Sequence, residues 1–208
     1  MAIISSVAIG AGRGKVGNIV YSRNAGRTIA REYQPSVKNP NTPDQQKQRG
    51  KMRNVVLVYN ALAPALTHAF AGRKRTLSVF NAFVSVNVAN IKENADFELT
   101  EYPTIEGDLV IGNGNLGKTT FSKVGAGNVQ IDFSKIKNRL NADDKAVFFA
   151  YDFDTQELTT EVVTLTAAQV AAGIVPQALA TGANGMSGGY IYTAKGRKSS
   201  SDIIGADA

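Results

Sequence analysis

Residues 12–53, GRGKVGNIVYSRNAGRTIAREYQPSVKNPNTPDQQKQRGKMR, decide how the fold is read, passing from a β pattern through an extended connector into the capped start of a helix. Lys and Arg crowd the stretch, and only Glu32 and Asp44 oppose them. Val16–Arg23 is rich in β-formers (Val16, Ile19, Val20, Tyr21), and Arg27–Tyr33 resumes a period of two. Between them Asn24-Ala25-Gly26 tolerates positive φ and suits a three-residue hairpin loop with a bulge. Alternate strand residues share a face, so Ile19, Tyr21 and Arg23 project together, as do Arg27, Ile29, Arg31 and Tyr33. Each strand thus carries a mixed aromatic and arginine face, suited to a partner with an acidic rim or to nucleic acid. The same pattern fits an exposed edge ribbon kept soluble by its charges. Gly10, Gly12, Gly14 and Gly17 form a flexible arm. A two-stranded ribbon is marginal alone and needs its own helices or a neighbouring subunit.

The helix start is the sharpest local signal. Thr42 suits the N-cap and Pro43 the first helical position. Asp44 favours the dipole, and Gln45 completes a Thr-x-x-Gln capping box. The pattern predicts a helix from Pro43 to about Ala71, stopped by Gly72 and kinked or split at Pro64. Its first turns are basic (Lys47, Arg49, Lys51, Arg53), and its later part is apolar (Val55, Val56, Leu57, Val58, Leu62, Leu66, Phe70). After a basic joint at Arg73-Lys74-Arg75, Thr76 is expected to cap a second helix over about 77–91, making an αα-hairpin. Asn81, Asn87 and Asn90 either face solvent or bond across to the ribbon.

From Phe97 the composition turns acidic and β-rich. Runs at 108–111, 119–124, 128–133, 145–151, 158–164 and 189–194 are separated by Gly, Asn and Asp turn formers. This spacing predicts an antiparallel sandwich of immunoglobulin-like type without Cys or Trp. One short helix is expected after the capping box Thr166–Gln169, ending at Gly173, and a last short strand with a frayed tail follows Ser199. The expected architecture is α+β: residues 1–95 supply a basic arm, β-hairpin and two helices as the assembly region, and residues 96–208 a β-sandwich domain. The boundary is expected near 94–104.

At 208 residues and 43% hydrophobic, the chain can bury a sizeable core. The absence of Cys excludes disulfides, thiolate zinc sites and cysteine nucleophiles. No apolar run approaches membrane length, and the first residues lack the charged region of a signal peptide, so a soluble protein made in the cytoplasm is expected, with no membrane partner. The net charge of +6 hides a division: residues 1–80 hold 13 Lys/Arg against 2 Asp/Glu, and residues 81–208 hold 10 against 15. An acidic partner for the first half follows, either nucleic acid or the acidic half of a neighbouring copy joined head to tail.

Several apparent chemical motifs weigh less than they look. Gly112–Thr119 matches G-x-x-x-x-G-K-[ST] and follows a plausible strand, but a phosphate site needs a helix beginning at the Lys. Here the following residues read as strand and turn. His68 stands alone. Asp143-Asp144 and Asp152/Asp154 lack calcium-loop spacing, and Ser199-Ser200-Ser201 reads as a polar terminus. No catalytic, cofactor or metal site and no small-molecule substrate is expected. The candidate partner-binding residues are Arg13, Lys15, Tyr21, Arg23, Arg27, Arg31, Tyr33, Lys47, Arg49 and Arg53.

The order of features resembles an uncharacterised protein family of Bacteroidota and their phages. The resemblance rests on G-K-x-G-N-x-V at Gly14–Val20 with Gly26-Arg27, and on N-P-x-T-x-x-Q-x-x-x-R at Asn39–Arg49. It continues through N-A-F-x-x-x-N at Asn81–Asn87, D-D-K-A-x-x-F at Asp143–Phe149 and a closing Tyr190-Ile191-Tyr192. It implies a non-enzymatic, phage-type protein located in the virion after synthesis in the host cytoplasm, partnered by itself or other virion proteins. It carries over no functional residue. Nucleic-acid binding, with Arg13, Lys15, Arg23, Arg27, Arg31 and the Lys47–Arg53 helix start on phosphates, is the alternative.

Overall fold

The computed structural model describes residues 2–4, 12–24, 26–36, 38–74, 76–92, 109–124, 127–179 and 185–204. The chain divides into two compact units, Met1–Thr42 and Pro43–Ala208. The helices therefore belong with the later strands, and not with the ribbon as the sequence suggested; the expected boundary at 94–104 lies outside the described residues.

The first unit is a four-stranded antiparallel sheet in the order β1-β4-β3-β2. Its strands are β1 (Ala2–Ile4), β2 (Gly14–Val16), β3 (Ile19–Asn24) and β4 (Arg27–Glu32). The β-rich run 16–23 is thus not one strand. It breaks at Gly17-Asn18, where Gly17 takes φ +58 and leaves Val16 paired with Ile19 across a two-residue turn. Asn24 pairs with Arg27, so two residues lie between β3 and β4, one fewer than the expected loop.

The second unit is mixed α and β. Helix α1 runs Pro43–Leu62, stopping two residues before Pro64, whose ring disfavours helical backbone at the residue before it. Turns, not helix, carry the chain from there towards Gly72. Helix α2 (Val79–Asn87) is shorter than expected and is capped by Ser78, whose hydroxyl accepts from the Asn81 N–H, and not by Thr76. Helix α3 (Ala167–Ala172) has the Thr166/Gln169 capping box and ends on Gly173 in the left-handed region.

Among the described residues this unit has nine strands: β5 (Leu109–Gly112), β6 (Gly117–Lys118), β7 (Thr120–Lys123), β8 (Asn128–Asp132), β9 (Lys145–Asp152), β10 (Glu157–Thr164), β11 (Ile174–Ala178), β12 (Gly185–Tyr192) and β13 (Ser200–Ile204). They form three sheets, ordered β10-β9-β12, β11-β8-β7 and β5-β13-β6. Strand β11 was not foreseen, because Pro176 in its middle argues against a strand. It is tolerated because β11 pairs on one side only, with β8.

Strand β9 explains why the unit holds together. Its sequence KAVFFAYD is buried at all but its two ends, and alternate residues enter two different cores. Ala146, Phe148 and Ala150 join Val129, Ile131 and Val175 of β8 and β11. Val147, Phe149 and Tyr151 join Val55, Val58 and Leu62 of α1 and Phe83 of α2. The sheet β10-β9-β12 is therefore covered by helices on one side and by a second sheet on the other, which is why β9 reads as a continuous apolar run instead of alternating. Across the β9–β12 ladder, Phe148 lies opposite Gly189 and Phe149 opposite Gly188. Large side chains on one strand meet absent ones on the next. A Cβ at Gly189 would stand 2.8 Å from the Val147 carbonyl oxygen of β9 and 2.7 Å from Ile131 Cδ1 of the facing sheet, so a larger residue crowds the backbone beside it.

Two polar devices lock this packing. Asn87, fully buried, donates through Nδ2 to the carbonyls of Phe83 and Val110 and accepts the Val110 N–H, so it clamps α2 to β5 and does not reach for the ribbon. Ser199 and Ser200 are also fully buried, which corrects their reading as a polar terminus. Ser199 Oγ donates to Ala69 O, and Ser200 Oγ accepts from Ile191 N and lies 3.1 Å from Thr119 Oγ1.

Candidate functional site

The ladder register of the first unit settles which candidate side chains share a face. Directly opposed residues on antiparallel strands project to the same side. Lys15, Val20 and Arg31 form one row across β2, β3 and β4, and Arg27, Ile29 and Ser22 belong to the same face. Tyr33 extends this side: its N–H donates to Asn18 O, and Lys15 Nζ sits 3.5 Å from its ring centroid. That cation–π contact is worth about 0.5–1 kcal/mol at an exposed position. The face is cationic, and a concavity of about 770 Å³ opens along Lys15, Val20, Arg31 and Tyr33.

The opposite face is different. Gly14, Tyr21, Ala30 and Ala2 form one row, Arg23 pairs with Thr28, and Val16 pairs with Ile19, which in turn pairs with Glu32. Tyr21 therefore lies between two small neighbours. Val16 and Ile19 are 67% and 44% exposed, an apolar pair presented at the end of the ribbon. The groupings expected within each strand hold, and the register adds that they lie on opposite sides of the sheet: Arg27 and Arg31 on one, Arg23 and Tyr21 on the other. Within-strand spacing was sufficient to group residues on a strand but not to match the faces of two strands, which needs the turn length.

Arg13, Lys15, Arg23, Arg27, Arg31 and Tyr33 are all exposed, and Tyr21 is half-buried. Lys47, Arg49 and Arg53 lie on α1, in the second unit, and are exposed as well. Helical spacing puts Lys47 in line with buried Asn54 and Val58, whereas Arg49 and Arg53 point away from that stripe.

The described residues of the second unit include a cationic concavity that sequence reading did not single out. Arg139, Lys195, Arg197 and Lys198 line a cavity of about 450 Å³ with Asp143 and Asp144. Asp144 is occupied structurally, accepting the N–H groups of Asn141 and Ala194. The basic Ala194–Lys198 turn was legible as charge. Its partner Arg139, more than fifty residues earlier, was not.

The remaining motifs resolve into structure. Gly112–Thr119 runs strand, loop, strand, with Lys118 exposed in β6 and paired to Ser201 of β13. Helix geometry for phosphate binding is absent from this described segment. His68 stacks on Tyr192 with ring centroids 4.4 Å apart. Its backbone N–H donates to the Tyr190 hydroxyl, which donates onward to Ala65 O. Burial pushes the Tyr190 phenol far above the ordinary tyrosine range, and the same cause raises Tyr151 and Tyr192. Asp132 accepts the Ser134 N–H, which lowers its carboxyl below the usual value. Among the described residues no group of three or more His, Cys, Asp or Glu side chains is placed to hold a metal ion. No helix among them is long and apolar enough to cross a membrane.

No curated protein and no solved structure matches the chain. A family model does, over residues 11–191, which take in β2–β4 of the ribbon, the helices α1–α3 and the strands from β5 to nearly the end of β12. The chain belongs to that family, described as a family of unknown function (DUF6266).

Proposed function

We propose that this protein is a non-enzymatic structural component of a bacteriophage particle of Bacteroidota, joined to copies of itself or to other virion proteins through its N-terminal ribbon. The carrying observation is the ribbon's character as a separate compact unit with two unlike, largely exposed faces. One presents Lys15, Arg27 and Arg31, and the other ends in exposed Val16 and Ile19. A small sheet without a covered apolar face is marginal by itself. Its cost in solvent-exposed apolar surface is offset when a partner docks. The two facing three-stranded sheets of the second unit support the finer reading of an immunoglobulin-like sandwich.

The test removes the ribbon along the unit boundary. The full chain is expected to self-associate in light scattering, and a chain lacking residues 1–42 is expected to remain folded and monomeric. Equal masses for the two would rule the ribbon out as the assembly element. The second reading, nucleic-acid binding, is favoured by Lys15, Arg27 and Arg31 sharing one face. Three phosphate contacts give a log–log salt slope of about 2.7 and roughly a forty-fold loss of affinity between 50 and 200 mM salt. Under that reading the double change R27A/R31A lowers the slope by about two units while R23A, on the far face, changes it little. Under the assembly reading DNA affinity is weak throughout.

A further inference from the structure

The edges of the second unit differ in how they are protected. Strand β11 has no pairing partner on its outer side among the described residues, but Pro176 in its middle removes a donor and blocks further pairing. Strand β10 is also an edge, paired only with β9 among the described residues, and it contains no proline. It runs eight residues, pairs with β9 without a register break, and contains no Pro, Lys or Arg. Six of its eight residues are exposed, including Val162 at 53%. A long, regular, β-branched edge left open is a template for strand addition, and natural sheets suppress such edges when they are not used. Its only charges are Glu157 and Glu161, on one side of the strand.

We infer that β10 is the acceptor edge for the ribbon of a second copy of this chain. This deepens the assembly reading above and rests on it. Of the ribbon's two outer strands, β1 and β2, the basic one is β2, fully exposed, with Arg13 and Lys15 two residues apart and Val16 two-thirds exposed beside them. A basic edge strand with an exposed valine matches an acidic edge strand with an exposed valine. Adding β2 to β10 satisfies backbone groups on both edges and sets Arg13 and Lys15 against Glu157 and Glu161. Pairing of two β10 strands does the reverse, bringing four carboxylates to one seam with no cation on either strand. The contact is heterologous, so each copy offers one ribbon and one acceptor, and the assembly grows into a ring or a filament.

Charge exchange tests this with the full-length chain. E157K/E161K and R13E/K15E are each expected to be folded, with unchanged circular dichroism, and monomeric where the wild type associates. Their equimolar mixture is expected to regain the wild-type mass, because each then meets an oppositely charged strand on the other. The milder E157Q/E161Q is expected to weaken self-association, lowering the apparent association constant roughly tenfold, and serves if the lysine variant fails to fold. If E157K/E161K or E157Q/E161Q associates like wild type while R13E/K15E does not, the ribbon docks elsewhere and only the acceptor assignment falls. A mixture that stays monomeric also excludes pairing of these two strands. If R13E/K15E associates like wild type, the ribbon reading itself is wrong.

Discussion

Strands β9 and β4 are both inner strands of antiparallel sheets, and they meet opposite surroundings. β9 has a core on each side and is buried nearly end to end. β4 has the same kind of ladder on both edges, yet only Thr28 of its six residues is buried. The backbone hydrogen bonding of the two is alike, so it does not distinguish them. What differs is the apolar area removed from water, at about 25 cal/mol per Å². One sheet is stabilised by its own chain. The other leaves most of its side chains in water.

The largest expected effect breaks that comparison at β9. Phe149→Ala empties a fully buried site between sheet and helices and is expected to cost about 3–5 kcal/mol in chemical denaturation. Ile29→Ala, in the ribbon's middle strand, is expected to cost under about 1 kcal/mol, since its side chain is only half-buried. Equal losses at the two positions would mean that the ribbon has a core of its own.

Next in size is the clamp between α2 and β5. Asn87→Ala leaves the Val110 N–H and carbonyl without their side-chain partner, at a cost of about 2–3 kcal/mol. Asn87→Asp keeps one acceptor but loses the donor and buries a charge, so it is expected to be at least as damaging. A loss below 0.5 kcal/mol for the alanine change, measured by thermal unfolding, would show that water replaces the side chain there.

Much of the second unit was legible from sequence because local signals and burial agree in it. The Thr166–Gln169 capping box, the start of α1 at Pro43 and the strands β8, β9 and β10 follow from caps, period and turn formers. What escaped depends on contacts between distant residues. Asn87 looks like a poor helix former until β5 is beside it, and Ser199-Ser200 looks like a tail until Ala69 and Ile191 are beside it. The helices were assigned to the ribbon because they adjoin it in sequence. Their apolar faces pack instead on β9 and β12, through residues such as Phe149 and Tyr190. The candidate site was legible in composition and not in geometry. Which arginines share a face turns on the connection between Asn24 and Arg27, one residue shorter than the loop expected from the sequence.

A smaller effect comes from Tyr190, whose hydroxyl ties the turn after α1 to β12. Tyr190→Phe is expected to cost about 1–2 kcal/mol at neutral pH. The folded state also holds the Tyr190 proton well above the pH at which the unfolded chain releases it, near pH 10. Since the unfolded state then binds fewer protons, stability falls as pH rises past about 10. The wild type is therefore expected to lose stability there faster than the Phe variant, so that their difference narrows between pH 10 and 12. Parallel curves would mean that Tyr190 ionises in the folded chain as it does in water.

The smallest expected effect belongs to Lys118, and its neighbour makes the test sharp. Gly117 sits at φ +125, and a Cβ there would stand 2.6 Å from Ile136 Cγ2. Gly117→Ala is expected to destabilise by about 1–3 kcal/mol, from backbone strain and a crowded contact at the edge of the β7–β8 core. Lys118→Ala, one residue on, removes an exposed side chain from a two-residue strand and is expected to stay within about 0.5 kcal/mol of wild type. A phosphate-binding loop makes the opposite demand on this pair, because there the lysine carries the ligand. In that case Lys118→Ala leaves the fold intact but abolishes ligand-induced stabilisation by ATP with magnesium. Thermal shift measurements on both variants, with and without nucleotide, separate the two accounts. Loss of stability at Gly117 alone, with no nucleotide response in any form, is the expected outcome, because the loop here serves to bring β6 beside β13 and not to open a cradle.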